Sequence, residues 1–167
     1  MNSRKILALA AAAAAVFGIA SVSNVASAQA AKPQAGVPFS ATINITEELS
    51  PDGTLCPLVG TISGTGIATQ LGRVAVRSMD CVQPRGATFT FSSLQVVLTA
   101  PNGDQIFVNY LGTLNTLTGA IQGTYTIADG TGRFDHATGG GTMVGSEDIS
   151  GFPRAAGQLE LKGTISY

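Results

Sequence analysis

The sequence has no tryptophan, two cysteines and one histidine, and only 11% of its 167 residues are charged. Each scarcity excludes something. Two cysteines and a lone histidine do not make a zinc site, which takes four protein ligands or three and a water. No serine sits in a G-x-S-x-G elbow, so no hydrolase triad is legible by motif. The basic residues are scattered, which leaves neither the stripe that nucleic acid requires nor a polybasic membrane signal. No cofactor and no metal are expected. Beyond residue 38 no stretch shows a convincing helical period.

Long apolar runs are absent save one. Residues Ile6 to Ala20 are apolar or small, Arg4 and Lys5 precede them, and Ala26-Ser27-Ala28 is a small-residue cleavage pattern. This predicts a signal peptide over 1–28, removed after Ala28, and a secreted or periplasmic product. The run is shorter than the roughly 20 apolar residues of a spanning helix, so the mature form is expected to lie outside the membrane. The remainder carries seven basic and ten acidic residues, a net charge of about −3. Residues 29–38, with two prolines, read as a flexible leader, and 39–167 as one domain. An even cysteine count in an exported chain predicts a Cys56–Cys81 disulfide, stabilising by roughly 3 to 4 kcal/mol on the chain-entropy model. The alternative is a pair of buried thiols.

Period two is plentiful. Phe39, Ala41, Ile43 and Ile45 alternate with Ser40, Thr42, Asn44 and Thr46. Leu159, Leu161, Ile165 and Tyr167 do the same at the other end, and Ile121, Tyr125 and Ile127 in between. Punctuated by Pro/Gly/Asn/Asp clusters, the pattern predicts eight strands, near 39–47, 57–68, 72–81, 87–99, 104–114, 118–128, 140–150 and 157–167. Short connections favour an antiparallel up-and-down sheet, which eight strands can close into an all-β barrel without edges. A β-sandwich is the alternative. Interior glycines such as Gly60, Gly64, Gly66 and Gly112 suit a tightly curved wall better than a flat sheet.

Residues 129–141, DGTGRFDHATGGG, hold five glycines and the histidine. The spacing is not a dinucleotide-binding loop, since Asp135 stands where the third glycine belongs, and no Gly-Lys-Ser/Thr completes a phosphate loop. The run Gly130-Thr131-Gly132-Arg133-Phe134-x-x-Ala137-x-Gly139 follows a strand ending Thr124-Tyr125-Thr126-Ile127. It resembles the G-T-G-K/R-F-x-x-A-x-G turn of plant dirigent proteins and is similar to the corresponding turn of allene oxide cyclases. The resemblance implies an eight-stranded calycin-like barrel, homo-oligomers, and dirigent, cyclase or isomerase chemistry. It covers ten residues closely and about 115–150 loosely, and transfers no acid–base group. Its physical role is a turn: Gly130 and Gly132 permit positive φ, Phe134 folds back to plug a barrel end, and Ala137 and Gly139 make room for the next strand.

The chemistry is sought on strand phase. Tyr110, Tyr125 and Tyr167 fall on the apolar phases of their strands, which face the lumen in a barrel. Glu147 shares a phase with Met143 and Ile149 and is expected inward, unless a bulge turns it out, with Asp148 outward. Tyr110 and Glu147 are expected at similar depth, Tyr125 slightly deeper, and Tyr167 near the opposite rim. Burial would raise the pKa of Glu147, and an acid beside phenols can bind or polarise a carbonyl or hydroxyl. The alternative is a lumen packed with its own side chains. His136 reads as a surface loop residue with Asp135 pointing elsewhere. Arg73 and Arg77 read as outer-face residues, and Glu47, Glu48 and Asp52 as a solvated strand end. Three functions remain open: a barrel holding a small, mostly apolar molecule, a dirigent-like or cyclase/isomerase protein, and a structural protein that oligomerises.

Overall fold

The computed structural model describes residues 35–51, 54 and 56–167. The expected signal peptide and residues 29–34 of the expected leader lie outside the described residues. Eight antiparallel strands close in chain order: β1 (Val37–Pro51), β2 (Leu58–Ala68), β3 (Gly72–Arg85), β4 (Thr88–Thr99), β5 (Gln105–Asn115), β6 (Ala120–Gly130), β7 (Thr138–Asp148) and β8 (Arg154–Ser166). The ring is completed by β1 against β8, where Ile43 faces Leu159 and Val37 faces Ile165. The sandwich alternative is thereby overturned: alternating strands with short turns leave no pair of edges once β1 meets β8.

The strands match the expected eight, with differences at the ends. β1 begins at Val37, two residues inside the expected leader, and runs on to Pro51. β3 continues through Pro84 to Arg85, inside an expected turn cluster. Burial alternates strictly on β1, from Phe39 through Ala41, Ile43 and Ile45 to Glu47 and Leu49. The lumen is filled by the inward phases, as in other small barrels.

The phase slips on β4. Phe89 and Phe91 belong to the inner cluster before the slip, and Val96 and Leu98 after it. One extra residue in β4 accounts for this: Met79 pairs Gln95 while Asp80 pairs Ser93, leaving Leu94 over. The β4–β5 ladder skips from Ser92 to Val97 at the same place. There the Tyr110 N–H donates to the Ser93 hydroxyl, 2.9 Å away, rather than to a strand carbonyl. A bulge of this kind re-aims side chains and bends the wall.

The glycine turn closes one end. Gly132–Phe134 forms a single 3-10 turn, with Gly132 at φ 63°. Gly130 does not need a positive φ as expected. It is glycine because a Cβ would strike the carbonyl oxygens of Phe134 and Gln105, the latter at 2.6 Å. Phe134 and Ala137 are completely buried, and the Phe134 ring meets Tyr167 edge-on at 4.9 Å. Arg133 lies over the outer face of Phe134, 4.7 Å from its centroid, and donates to the Gln70 carbonyl. Gly139 already belongs to β7, paired with Ile127 and Ile165.

Cys56 is buried and Cys81 half-buried, and no bond joins them in the structure. The disulfide read from the even count is not formed. Cys81 lies on the outward phase of β3, between the inward Asp80 and Val82, and its cross-strand neighbour on β2 is Val59.

Candidate acid cluster in the lumen

At the barrel end away from the glycine turn, three carboxyl groups point into the lumen. Glu47 comes from β1, Asp80 from β3 and Glu147 from β7, and they are only 8%, 3% and 5% exposed. Each continues an apolar inward phase: Ile43–Ile45–Glu47, Val76–Ser78–Asp80 and Met143–Gly145–Glu147. No bulge interrupts β7, so Glu147 faces in as expected, while Val144 and Asp148 face out. Glu47 overturns its reading as a solvated strand end, because the alternation of β1 runs two residues further than expected. Glu48 is exposed as expected, and Asp52 lies outside the described residues.

Room for the cluster comes from Gly60 on β2. A Cβ there would overlap both Glu47 Oε1 and Asp80 Oδ1. Tyr110 on β5 supplies the fourth polar group. Its hydroxyl donates to Asp80 Oδ2 at 3.2 Å and shares a 2.8 Å hydrogen bond with Ser78 Oγ. Its ring packs edge-on to Phe91 at 5.8 Å. Glu47 Oε1, Asp80 Oδ1, Glu147 Oε1 and the Tyr125 hydroxyl have no hydrogen-bond partner among the described residues.

No lysine, arginine or histidine is buried among the described residues. Without a cation, buried carboxyls hold their protons. Burial, then the neighbouring charges of Asp80 and Glu147, pushes Glu47 up to about 9. Burial pushes Asp80 up to about 7, although the Tyr110 hydrogen bond acts the other way. Glu147 is raised by burial and partly held down by its hydrogen bond with Glu47. Burial, followed by the charge of Asp80, carries Tyr110 well above its ordinary value. Near neutrality the cluster is therefore a mixture of protonated and ionised acids in apolar walls, able to donate and to accept.

A cavity of about 30 Å³ adjoins the three acids and Tyr110, walled by Phe89, Phe91 and Ile121 among others. A second of about 30 Å³ lies between Tyr110, Tyr125 and apolar residues including Met143. Each has room for about one or two waters. Glu47 also borders an open groove at the rim, beside Ser150, Gly151 and Arg154.

The expected constellation is thus divided. Tyr110 and Glu147 share the acid-end cavity. Tyr125 pairs Tyr110 across β5–β6 but opens only onto the second cavity, its ring 6.0 Å from Phe39. Tyr167 stands at the plugged end, 3.1 Å from Gln70 Oε1 through its hydroxyl. His136 is exposed, at φ 61°, and its N–H is held by Asp129 Oδ1 at 3.1 Å. Contrary to expectation Asp135 does approach it, at 3.6 Å, but both side chains are in solvent. Arg73 and Arg77 are exposed as expected. Strand phase could have found Asp80, since Val74 and Val76 precede it at even spacing.

No family model, curated protein or solved structure matches the chain.

Proposed function

We propose that the chain is an exported barrel that holds a small, mostly apolar molecule by its polar end. The observation that carries this reading is the set of three inward carboxyl oxygens left without partners beside a cavity in apolar walls. A buried polar atom without a partner costs about 1–3 kcal/mol, which a ligand's polar group would recover. The cavity accepts a head group and not a whole molecule, so the body would have to displace half-buried side chains such as Phe89 and Phe91.

A second reading, a cyclase- or isomerase-type protein, draws on the same residues. Two acids whose proton affinities are pushed apart are what a proton transfer needs, and Glu47, at about 9, and Asp80, at about 7, are such a pair. The resemblance of the glycine turn to dirigent proteins and allene oxide cyclases points the same way. The assembly reading draws on Met79, Leu94 and Leu111, exposed apolar residues on three consecutive strands.

The test is native mass spectrometry of the purified chain, with titration by n-octanol. Saturable one-to-one binding, abolished when Ile121→Trp fills the lumen, is the expected result. No uptake by the parent protein would end the binding reading. If a natural ligand is found, Glu147→Gln that keeps binding and stops turnover would select the enzyme.

A further inference from the structure

The acid end has acceptors in excess. Glu47 Oε1, Asp80 Oδ1 and Glu147 Oε1 are unpartnered, their residues more than nine-tenths buried, and all three residues line one cavity. The hydroxyl on hand is already engaged, that of Tyr110 with Asp80 Oδ2 and Ser78, and once the carboxyls ionise they only accept. From β2, β4, β6 and β8 only uncharged side chains reach the cavity. On the groove side Glu47 meets Glu48, Arg77, Asp148 and Arg154, two anions against two cations.

A group that matches this site is compact, positively charged and rich in donors. The cavity of about 30 Å³ has room for a group the size of about one or two waters. An ammonium is of that size and carries three N–H donors and no acceptor, one for each unpartnered oxygen. A carboxylate head would add a fourth anion, and an alcohol would bring a single donor. We propose that this end of the lumen takes the ammonium head of a primary amine, its hydrocarbon body lying against Phe89 and Phe91. The proposal rests on the lumen-binding reading and adds the class of ligand.

Binding has a proton balance. The ammonium brings its own charge, and Glu47 or Asp80 gives up a proton to solvent to become its partner. Amine affinity therefore rises with pH from about 6 to about 9, while an alkylamine remains charged, as a lysine does. Charge-assisted hydrogen bonds are roughly twice as strong as neutral ones, so the head should be decisive.

The experiment is calorimetric titration with n-octylamine, n-octanol and n-octanoate at several pH values, in buffers of different ionisation enthalpy. The expected result is octylamine binding at least about tenfold more tightly than octanol, a difference of about 1.4 kcal/mol. It should come with proton release and the stated rise with pH. Glu47→Gln and Glu147→Gln should each weaken octylamine about tenfold or more, and Glu160→Gln, on the outer wall, should not. Octanol binding as well as octylamine would overturn the ammonium head and leave the lumen-binding reading standing. Failure of all three ligands would overturn both. Should a glutamine variant fail to fold, the pH dependence of the parent protein decides: amine affinity flat or falling from about pH 6 to about 9 refutes the proposal.

Discussion

Stability should fall as pH rises through neutrality, the reverse of a protein whose acids are salt-bridged. Glu47 has its carboxyl raised from 4.5 to about 9, mainly by burial, and Asp80 from 3.8 to about 7. Below the lower values both folded and unfolded chains are protonated, and the full stability is present. Above them the unfolded chain releases protons that the barrel retains. Each retained proton then removes about 1.4 kcal/mol per pH unit until the folded value is passed. Glu47 alone, over its whole window, would remove about 6 kcal/mol, comparable to the entire stability of a domain. Because the three carboxyls interact, their contributions do not simply add, and a fall of at least about 2 kcal/mol from about pH 5 to about pH 8 is expected. Urea unfolding followed by far-UV circular dichroism measures it, since the chain lacks tryptophan. Glu47→Gln keeps the shape and cannot ionise. It should flatten the slope by one proton and exceed the parent by about 2 kcal/mol or more at about pH 8. Stability that is level or rises over this interval, or a Glu47→Gln slope equal to the parent's, would refute the reasoning.

Two further outcomes follow from other contacts. Phe134→Ala removes a completely buried ring from the plugged end and should cost about 3–5 kcal/mol in chemical denaturation. The pH slope set at the far end should stay as it was, and a cost below about 1 kcal/mol would mean that Phe134 is no stopper. Tyr110→Phe strips Ser78 and Asp80 of their hydroxyl partner and should cost about 1–3 kcal/mol. Because that hydrogen bond holds Asp80 down, a carboxyl NMR titration should find Asp80 above about 7 in the variant. An unchanged or lower value would show that the bond does not act on Asp80.

Much of the fold was legible because period two is a local property. Residues Phe39 to Ile45 or Ile121 to Ile127 announce a wall with one wet and one dry face before any partner strand is known. The same rule carried Glu147 inward correctly. It carries Glu47 inward as well, since Glu47 continues the phase of Ile43 and Ile45; grouping it with Glu48 and Asp52 as a solvated strand end set that phase aside. The β4 slip was also present in the sequence, as Phe89 and Phe91 against Val96 and Leu98. Its consequence for Tyr110 was not, because that depends on which strand lies alongside.

The sequence by itself determined the strands, their inward faces and the glycine turn that lets Phe134 fold back, all of which rest on contacts a few residues apart. Only the tertiary structure decided closure, because a ring needs β1 to meet β8 across more than a hundred residues. It also decided that Glu47, Asp80 and Glu147 share one end while Tyr125 and Tyr167 do not. Depth in a barrel is set by how the strands are paired around the ring, and no single strand carries that information.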